Sequence, residues 1–281
     1  MTKLERTGTE HRLPSRPRGT TKLIPIVDSD VLVYRVGFAA EQDEPIENVL
    51  HSVKKCVVDI LAQFPGASEY HLFLTGSGNF RKYIAKQLEY KGHRKDQPKP
   101  QYYDEIREYL QVRWGAKMIE GMEADDAMGI MQFSKYRSRS VIASIDKDMK
   151  MIPGWHYNFV KRELEYIDRT QADRNFFRQL LTGDMTDNIP GIKGMGPKTA
   201  LKLMGDETDP AKLYELCCQQ YRKAHGDDSW RPIIDEMAQL LWILRSEDKG
   251  CPYMQAGMGW CPEHGEEFSH PATPVLPREE T

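Results

Sequence analysis

Residues 23–28 read Leu-Ile-Pro-Ile-Val-Asp, a short apolar run that ends on an acid. A run of this length, bounded by polar residues, predicts a fully buried β-strand. Similar runs at residues 70–74, 117–119 and 140–145 alternate with helical patterns, of which the clearest spans residues 46–64. Because strands that alternate with helices form parallel sheets covered on both faces, we predict an α/β fold with a central, mostly parallel twisted sheet flanked by helices.

The composition fits a globular protein outside the membrane. Hydrophobic residues make up 40% of the 281 residues, and no apolar run approaches the length of about eighteen that a membrane helix needs. Five cysteines, an odd number, predict no disulfide framework and favour a reducing cytoplasm. The net charge of −3 is informative only after the acids and bases have been placed along the chain.

Acids recur at the ends of the predicted strands and helices. The carboxyl ends of parallel strands meet at one edge of a sheet, so these side chains should converge there. Converging carboxylates repel one another unless cations lie between them, and oxygen-only ligands favour Mg²⁺ or Mn²⁺. Two such ions are a standard arrangement for phosphodiester hydrolysis. The groups are Asp28 with Asp30, Glu123 with Asp125 and Asp126, Asp146 with Asp148, and Asp184 with Asp187.

Each acidic group also has a structural interpretation, because an acid at a helix start caps free N–H groups and complements the helix dipole. On a helix, Glu123 and Asp126 share a face, whereas Asp125 points away from it by about a quarter of a turn. The metal-site interpretation therefore depends on all four groups together.

A basic and aromatic tract lies between the second strand and the acidic helix. Residues 81–99 contain seven Lys or Arg against two acids, with Tyr83 and Tyr90 interleaved. Basic side chains neutralise phosphates and aromatic rings stack on exposed bases, so the tract predicts contact with a single-stranded nucleic-acid end. A solvated charged loop is the alternative.

A glycine-rich stretch, residues 189–200, runs into a predicted helix whose first position suits Pro197. Backbone N–H groups at such a helix start can bind a phosphate oxygen, and Lys193 and Lys198 would add positive charge. A tight turn between packed helices is the alternative.

Together these motifs resemble the 5′ nuclease (flap endonuclease) superfamily, and most closely its bacteriophage 5′→3′ exonuclease branch, over residues 23–204. The resemblance implies a helical arch at about residues 77–113, through which a single-stranded 5′ end passes. It also implies a helix–three-turn–helix region that grips duplex DNA, often with a monovalent cation such as K⁺. The most specific stretches are residues 26–28, 79–82, 89–94, 123–126, 144–148 and 182–191.

The resemblance also implies roles for individual residues. Lys91 and Arg94 would act in catalysis. The implied ligands of two Mg²⁺ ions, which Mn²⁺ can replace, are Asp28, Glu123, Asp125, Asp126, Asp146, Asp148, Asp184 and Asp187. The implied DNA contacts are Arg81, Lys82, Tyr90, Gly191, Lys193, Gly194, Gly196 and Lys198.

Two positions depart from the family pattern. The family usually has an aspartate just after the second strand, where residues 74–78 of this chain carry no carboxylate. Either Asp30 or water replaces that ligand, or the first metal is held more weakly. Gln179 stands where many relatives have a lysine near the duplex-binding face. The main acidic cluster is unaffected, so we still predict activity.

We therefore predict four segments: a disordered basic arm at 1–22, an α/β nuclease core at 23–169, a helical helix–three-turn–helix region at 170–250 and an irregular tail at 251–281. A zinc site in the tail, formed by Cys251, Cys261, His264 and His270, is a weaker hypothesis, because the ten-residue gap between the cysteines is unlike the usual close pairs.

The predicted function is a metal-dependent 5′→3′ deoxyribonuclease that cuts at 5′ ends or flaps of duplex DNA. Its setting would be phage replication (primer removal), recombination or host DNA breakdown. The expected partners are DNA, an RNA primer–DNA hybrid and replication proteins, and we expect a monomer in the cytoplasm, that of the host if phage-encoded. The alternatives are a nuclease-inactive relative that binds branched DNA, and a PIN-type ribonuclease, which should lack both the arch tract and the glycine hairpin.

Overall fold

The computed structural model describes residues 20–95, 97–136 and 139–245, together with the backbone of residues 254–255 and 258–259. Its helices are α1 (Ser29–Ala39), α2 (Ile46–Leu61), α3 (Arg81–Ile84), α4 (Tyr103–Trp114), α5 (Ala124–Ile130), α6 (Arg169–Thr182), α7 (Pro197–Met204), α8 (Pro210–His225) and α9 (Trp230–Leu241). Its strands are β1 (Ile24–Asp28), β2 (His71–Thr75), β3 (Lys117–Ile119), β4 (Ser140–Ala143), β5 (Gly154–Asn158), β6 (Glu163–Ile167), β7 (Gly183–Asp184), β8 (Ile189–Pro190), β9 (Met254–Gln255) and β10 (Met258–Gly259).

Six strands form the central sheet in the order β3-β2-β1-β4-β5-β6. Neighbouring strands are parallel, except that β5 and β6 are antiparallel. Every residue of β1 and β4 is buried, as expected for parallel strands covered on both faces. The predicted α/β fold with a mostly parallel central sheet flanked by helices is therefore confirmed.

The two faces of the sheet pack against different helices because successive strand side chains point to opposite sides. Val27 and Leu72 belong to a core shared with α1, α2 and α4. Ile26 and Phe73 belong to a second core, shared with α5. A third core joins α6, α7, α8 and α9 and also includes Tyr90 from the basic tract. The tract is therefore packed against the C-terminal helices.

The structure departs from several of the sequence-based expectations. Helix α1 follows β1 directly, although no helix is predicted there. The predicted strand at residues 140–145 ends at Ala143, so that Asp146 lies in the loop beyond it. The last three residues of the predicted disordered arm, Thr20–Lys22, instead form a 3₁₀ turn in which Thr20 is buried.

Other predicted features fall partly or wholly outside the described residues. Residues 1–19 and the four proposed zinc ligands of the tail lie outside them. In the tail, β9 and β10 pair as a two-stranded antiparallel ladder. Within the described ranges, no helix combines the length and apolar character needed to cross a membrane.

The predicted arch region contains little helix before α4. It consists of the four-residue α3, a 3₁₀ turn at Gly92–Arg94, a connection of bends and turns between them, and then α4. We call residues 85–95, which join α3 to the residues after this turn, the bridging segment.

Candidate active site

Strand ends and helix starts bring the acids to one edge of the sheet. Asp28 ends β1 and caps α1, where its carboxylate accepts hydrogen bonds from the Val31 N–H at 3.1 Å and the Ser144 hydroxyl at 2.7 Å. Asp125 lies in the first turn of α5. A cleft of about 140 Å³ is lined by Glu123, Asp125, Asp146, Asp148, Asp184 and Asp187, with Tyr90, Lys91 and Arg94 from the bridging segment.

The acids nearest β1 destabilise one another's charge. Burial raises the pKa of Asp28 to about 7, against the opposing hydrogen bond from Ser144, and the charges of Asp30 and Asp146 raise it further. Burial, followed by the charges of Asp28 and Asp146, raises the pKa of Asp125 well above its usual range. This group therefore needs either protons or cations to stay buried at neutral pH.

A second acidic group lies beside the first. Burial raises the pKa of Asp148 to about 7, and the charge of Asp146 and a hydrogen bond with the Asp184 carboxyl add to this effect. Asp184 is buried and accepts hydrogen bonds from the Thr186 N–H at 2.8 Å and the Gln179 side-chain amide at 3.2 Å. Gln179 therefore positions an acid of the cleft.

The remaining two acids of the cleft are held by the bridging segment. The Tyr90 hydroxyl lies 2.9 Å from both Glu123 Oε2 and Asp187 Oδ2. Lys91 Nζ lies 2.5 Å from Glu123 Oε1 and 3.5 Å from Asp187 Oδ2, and Arg94 Nη2 lies 2.8 Å from Asp187 Oδ1. Burial lowers the pKa of Lys91, but the two carboxylates outweigh burial and raise it overall.

Backbone contacts fix the same part of the bridging segment to the loop after β7. The Lys91 N–H donates to the Asp187 carbonyl at 2.9 Å, and Arg94 Nε donates to the Thr186 carbonyl at 2.9 Å. The Asn188 side-chain amide donates to the Glu89 carbonyl at 2.8 Å. Lys91 and Arg94 are thus placed at the acids by both backbone and side chain.

The carboxylates converge without forming a complete coordination sphere. In the described part of the chain, no three acid, His or Cys side chains are close enough together to hold an ion. Oxygens of Glu123 and Asp187 are engaged by Lys91, Arg94 and Tyr90, as described above. The donor set consists of oxygens alone, which is the chemistry that Mg²⁺ and Mn²⁺ prefer.

Asp126, expected as a metal ligand, has another role. Both of its oxygens bind the Arg81 guanidinium, at 2.6 and 2.8 Å, and also accept the N–H groups of Glu123 and Leu244. Asp126 is 0% exposed and Arg81 is 2% exposed. Arg81 is thus paired with Asp126 inside the protein, and the DNA contact expected of it stays a prediction.

Tyr90, expected to contact DNA, is 4% exposed and faces the acids. Lys82 is exposed, as a DNA contact requires. Asp30, considered as a replacement ligand, is already engaged by the Thr75 N–H at 2.9 Å and by Arg107 Nη1 at 3.0 Å. The position after β2 has no room for a larger residue, because a Cβ on Gly76 would lie 2.8 Å from the Ile119 carbonyl.

The glycine-rich stretch leads into α7 as predicted, with Gly196 as N-cap and Pro197 in the first turn. Lys193 and Lys198 are both exposed. Gly194 has a φ of 81°, which glycine adopts more readily than other residues. Gly191 packs closely on the backbone of Thr182. A Cβ on Gly191 would lie 2.1 Å from the Thr182 carbonyl carbon, so the turn requires a residue without a side chain here.

Some residues at the site are not singled out by the sequence motifs. Ser144 positions Asp28, and Asn188 positions the bridging segment. Arg107 neutralises Asp30. Ser144 and Asn188 lie inside the quoted motifs, whereas nothing local in the sequence marks Arg107.

The chain is similar in sequence to known nucleases and to a DNA polymerase. The exodeoxyribonuclease of Enterobacteria phage T3 is 30% identical over 241 residues, which cover 79% of this chain and 79% of that protein. A flap endonuclease Xni from a Shewanella strain is 28% identical over 234 residues, covering 76% of this chain and 88% of that protein. DNA polymerase I of Deinococcus radiodurans is 26% identical over 219 residues, which cover 72% of this chain but only 22% of the polymerase.

Among solved structures, a T5 5′-exonuclease with bound zinc ions superimposes with a TM-score of 0.53 at 17% identity, covering 78% of this chain and 99% of that one. This likeness shows the fold. No protein-family model matches the chain. The identity to the phage T3 enzyme over most of both chains, together with the common fold, shows that this chain is a nuclease of the 5′ nuclease superfamily.

Proposed function

We propose that the chain is a divalent-metal-dependent deoxyribonuclease that hydrolyses phosphodiester bonds at 5′ ends or flaps of duplex DNA. The observation that carries the proposal is the cleft in which six acids face the cations of Lys91 and Arg94. Acids alone would only repel a phosphate. Acids beside two fixed cations suit a site that takes metal ions and a phosphodiester together.

The chemistry of the donor set fits Mg²⁺. Asp28, Asp125 and Asp146 would form one group of ligands, and Asp148 with Asp184 would form another. When bound, divalent ions would supply stabilisation of the charge on phosphate oxygens and a lower pKa for the attacking water. Ion binding would also relieve the repulsion that raises the pKa values of Asp28 and Asp148 to about 7.

The residues of the chain have distinct tasks in this proposal. Lys91 and Arg94 lie at the edge of the acids and would bind the oxygens of the scissile phosphate once Glu123 and Asp187 take up metal ions or their bound water. Tyr90 donates its hydroxyl hydrogen to one of the same two acids and keeps them oriented. Burial raises the pKa of Tyr90, followed by the charge of Glu123, so Tyr90 remains a neutral donor.

Duplex DNA would lie along the helical part of the chain. The exposed Lys193 and Lys198 flank the start of α7, where free N–H groups favour a phosphate. A potassium ion at this turn and an RNA primer–DNA hybrid as substrate belong to the same proposal. A role in phage replication would follow from the likeness to the phage T3 exodeoxyribonuclease.

The test is cleavage of a duplex labelled at one 5′ end, with and without a 5′ flap, in Mg²⁺ and in EDTA. We expect labelled products in Mg²⁺ only, and their loss in Asp146→Ala but not in Asp235→Ala, which changes an acid of α9 remote from the cleft. Binding of branched DNA without any product would instead support the inactive relative. Preference for single-stranded RNA over DNA would support a ribonuclease.

A further inference from the structure

A buried carboxylate outside the cleft contacts the bridging segment. Glu236 lies in α9 and is 7% exposed. Its Oε1 atom accepts the N–H of Lys86 at 2.6 Å and the N–H of Gln87 at 2.8 Å. Both N–H groups belong to the turn that follows α3 and leads to Tyr90 and Lys91.

Glu236 has no cationic partner among the described residues. A buried carboxylate without a counter-ion is stable only where N–H donors satisfy it, and such charge-assisted hydrogen bonds are the stronger ones. The two N–H groups therefore stabilise the Glu236 carboxylate, as a cation stabilises other buried acids. In return, the carboxylate fixes the direction of the backbone at residues 86–87.

The contact of Glu236 differs in one respect from the contacts of Tyr90, Lys91 and Arg94. Those three side chains hold the segment through Glu123 and Asp187, which line the cleft. Any ion or phosphate that enters the cleft competes for these same groups. Glu236 does not line the cleft, so its hold on the segment persists when the contacts with the acids are exchanged.

We propose that Glu236 is a positioning residue, which anchors the start of the bridging segment to α9 so that Lys91 stays at the scissile phosphate. This inference rests on the proposed nuclease function. Apolar packing supports it, because Ile84 and Ala85 lie against the same core as α9. Only three residues lie between Gln87 and Lys91, so freedom at the anchor would be transmitted to the ammonium group.

The experiment compares two replacements in the full chain. Glu236→Met keeps the length of the side chain but offers no oxygen to the two N–H groups, whereas Glu236→Gln keeps an acceptor. Hydrogen–deuterium exchange of residues 85–91 is measured first, because it does not depend on activity. We expect exchange there to be at least about tenfold faster in Glu236→Met. Exchange in Glu236→Gln should remain close to that of the unaltered chain.

Cleavage kinetics form the second measurement. In Glu236→Met we expect kcat to fall by about ten- to a hundredfold with little change in KM, because a misplaced catalytic group affects the transition state more than binding. Glu236→Gln should recover most of this loss. In a chain that already carries Lys91→Met, Glu236→Met should add little, since both changes act through one cation.

Asp235→Leu is the matched control, because Asp235 is the adjacent acid of α9 and pairs only with Arg231 within the described residues. It should leave both the exchange of residues 85–91 and kcat unchanged.

If hydrogen–deuterium exchange in Glu236→Met is faster uniformly along the chain, or is unchanged at residues 85–91, Glu236 is not the anchor, whatever the activity of the variant. If the losses in kcat from Glu236→Met and Lys91→Met multiply in the double variant, the link to Lys91 is overturned. A lack of cleavage by the unaltered chain, with locally faster exchange in Glu236→Met, would remove the proposed function and the catalytic role while leaving the anchor itself established.

Discussion

The Arg81 guanidinium binds the Asp126 carboxylate through two hydrogen bonds, of 2.6 and 2.8 Å, where neither side chain reaches solvent. The same guanidinium donates to the carbonyl groups of Leu240 at 2.8 Å and Trp242 at 2.6 Å. One ion pair therefore joins α3, the acidic helix α5 and the end of α9. Arg81 also lines the cleft, whereas Asp126 does not.

Removal of one partner of this pair should destabilise the fold. Arg81→Met leaves the Asp126 carboxylate buried without its cation, and we expect the free energy of unfolding to fall by about 3–5 kcal/mol. Urea denaturation of the metal-free chain measures this loss. The double change Arg81→Met with Asp126→Leu should recover part of it, because no unpaired charge remains. A loss below about 1 kcal/mol for Arg81→Met, the range of exposed ion pairs, would show that Arg81 is solvated instead.

The stability of the metal-free chain should fall as pH rises through neutrality. The pKa of both Asp28 and Asp148 is raised to about 7 in the folded chain, from 3.8. Between these values the folded state binds more protons than the unfolded state, so the stability that these two groups contribute is fully present below pH 3.8 and is lost as pH rises to about 7. Thermal unfolding in EDTA at pH 5.5 and pH 8 should show the lower Tm at pH 8, by several degrees.

Added Mg²⁺ should reverse this trend, because bound cations stabilise the ionised acids that protons otherwise neutralise. Asp148→Asn, which cannot ionise, should reduce the difference in Tm between the two pH values in EDTA. A metal-free Tm that is independent of pH in the unaltered chain would contradict the raised pKa values.

Lys91→Met should slow cleavage more than it weakens DNA binding. Lys91 Nζ is placed by Glu123 at 2.5 Å, and loss of one fixed positive group at a developing charge commonly costs about 100- to 1,000-fold in kcat. Lys95 is the control, because it is exposed and pairs with Glu89 instead of the cleft acids. Single-turnover cleavage measures the effect on the chemical step, and a separate Kd in Ca²⁺ measures the effect on DNA binding. Equal losses for Lys91→Met and Lys95→Met would contradict a special role for Lys91.

Lys193→Ala and Lys198→Ala should weaken duplex binding without changing its sequence dependence. If each lysine neutralises one phosphate, each change should reduce the slope of log K against log salt by about 1. Fluorescence anisotropy with a labelled duplex at several salt concentrations measures the slope. Lys54→Ala, on the exposed side of α2, should leave it unchanged. Identical slopes for all three variants would place the duplex elsewhere.

Local sequence patterns were sufficient for the sheet and for the position of its acids. The apolar run at β1 predicts its strand to within one residue, because burial on both faces requires apolar side chains at consecutive positions. Pro25 would argue against a central strand, since proline lacks a ladder donor. β1 nevertheless lies between β2 and β4, because its apolar surface is needed at the centre of the sheet.

The orientation of the acidic helix α5 could not be predicted from local sequence. Glu123 and Asp126 share a face of α5, as their spacing predicts, but the acid that faces Asp28 is Asp125. Helical spacing gives the relative directions of three side chains and leaves the rotation of the helix against the sheet undetermined. That rotation is fixed by Arg81, which lies 45 residues away in the chain and binds Asp126.

The sequence by itself determined the alternation of strands and helices except for α1, the set of acids at their ends and the basic tract between β2 and β3, because these depend on residue type and short spacing. Only the tertiary structure decided which charges meet. Arg81 turned inward to Asp126, Lys91 and Arg94 came to rest on Glu123 and Asp187, and Glu236 received the backbone of residues 86–87. Such partners are set by long-range packing, since a buried charge must find an opposite charge or a donor wherever the fold provides one.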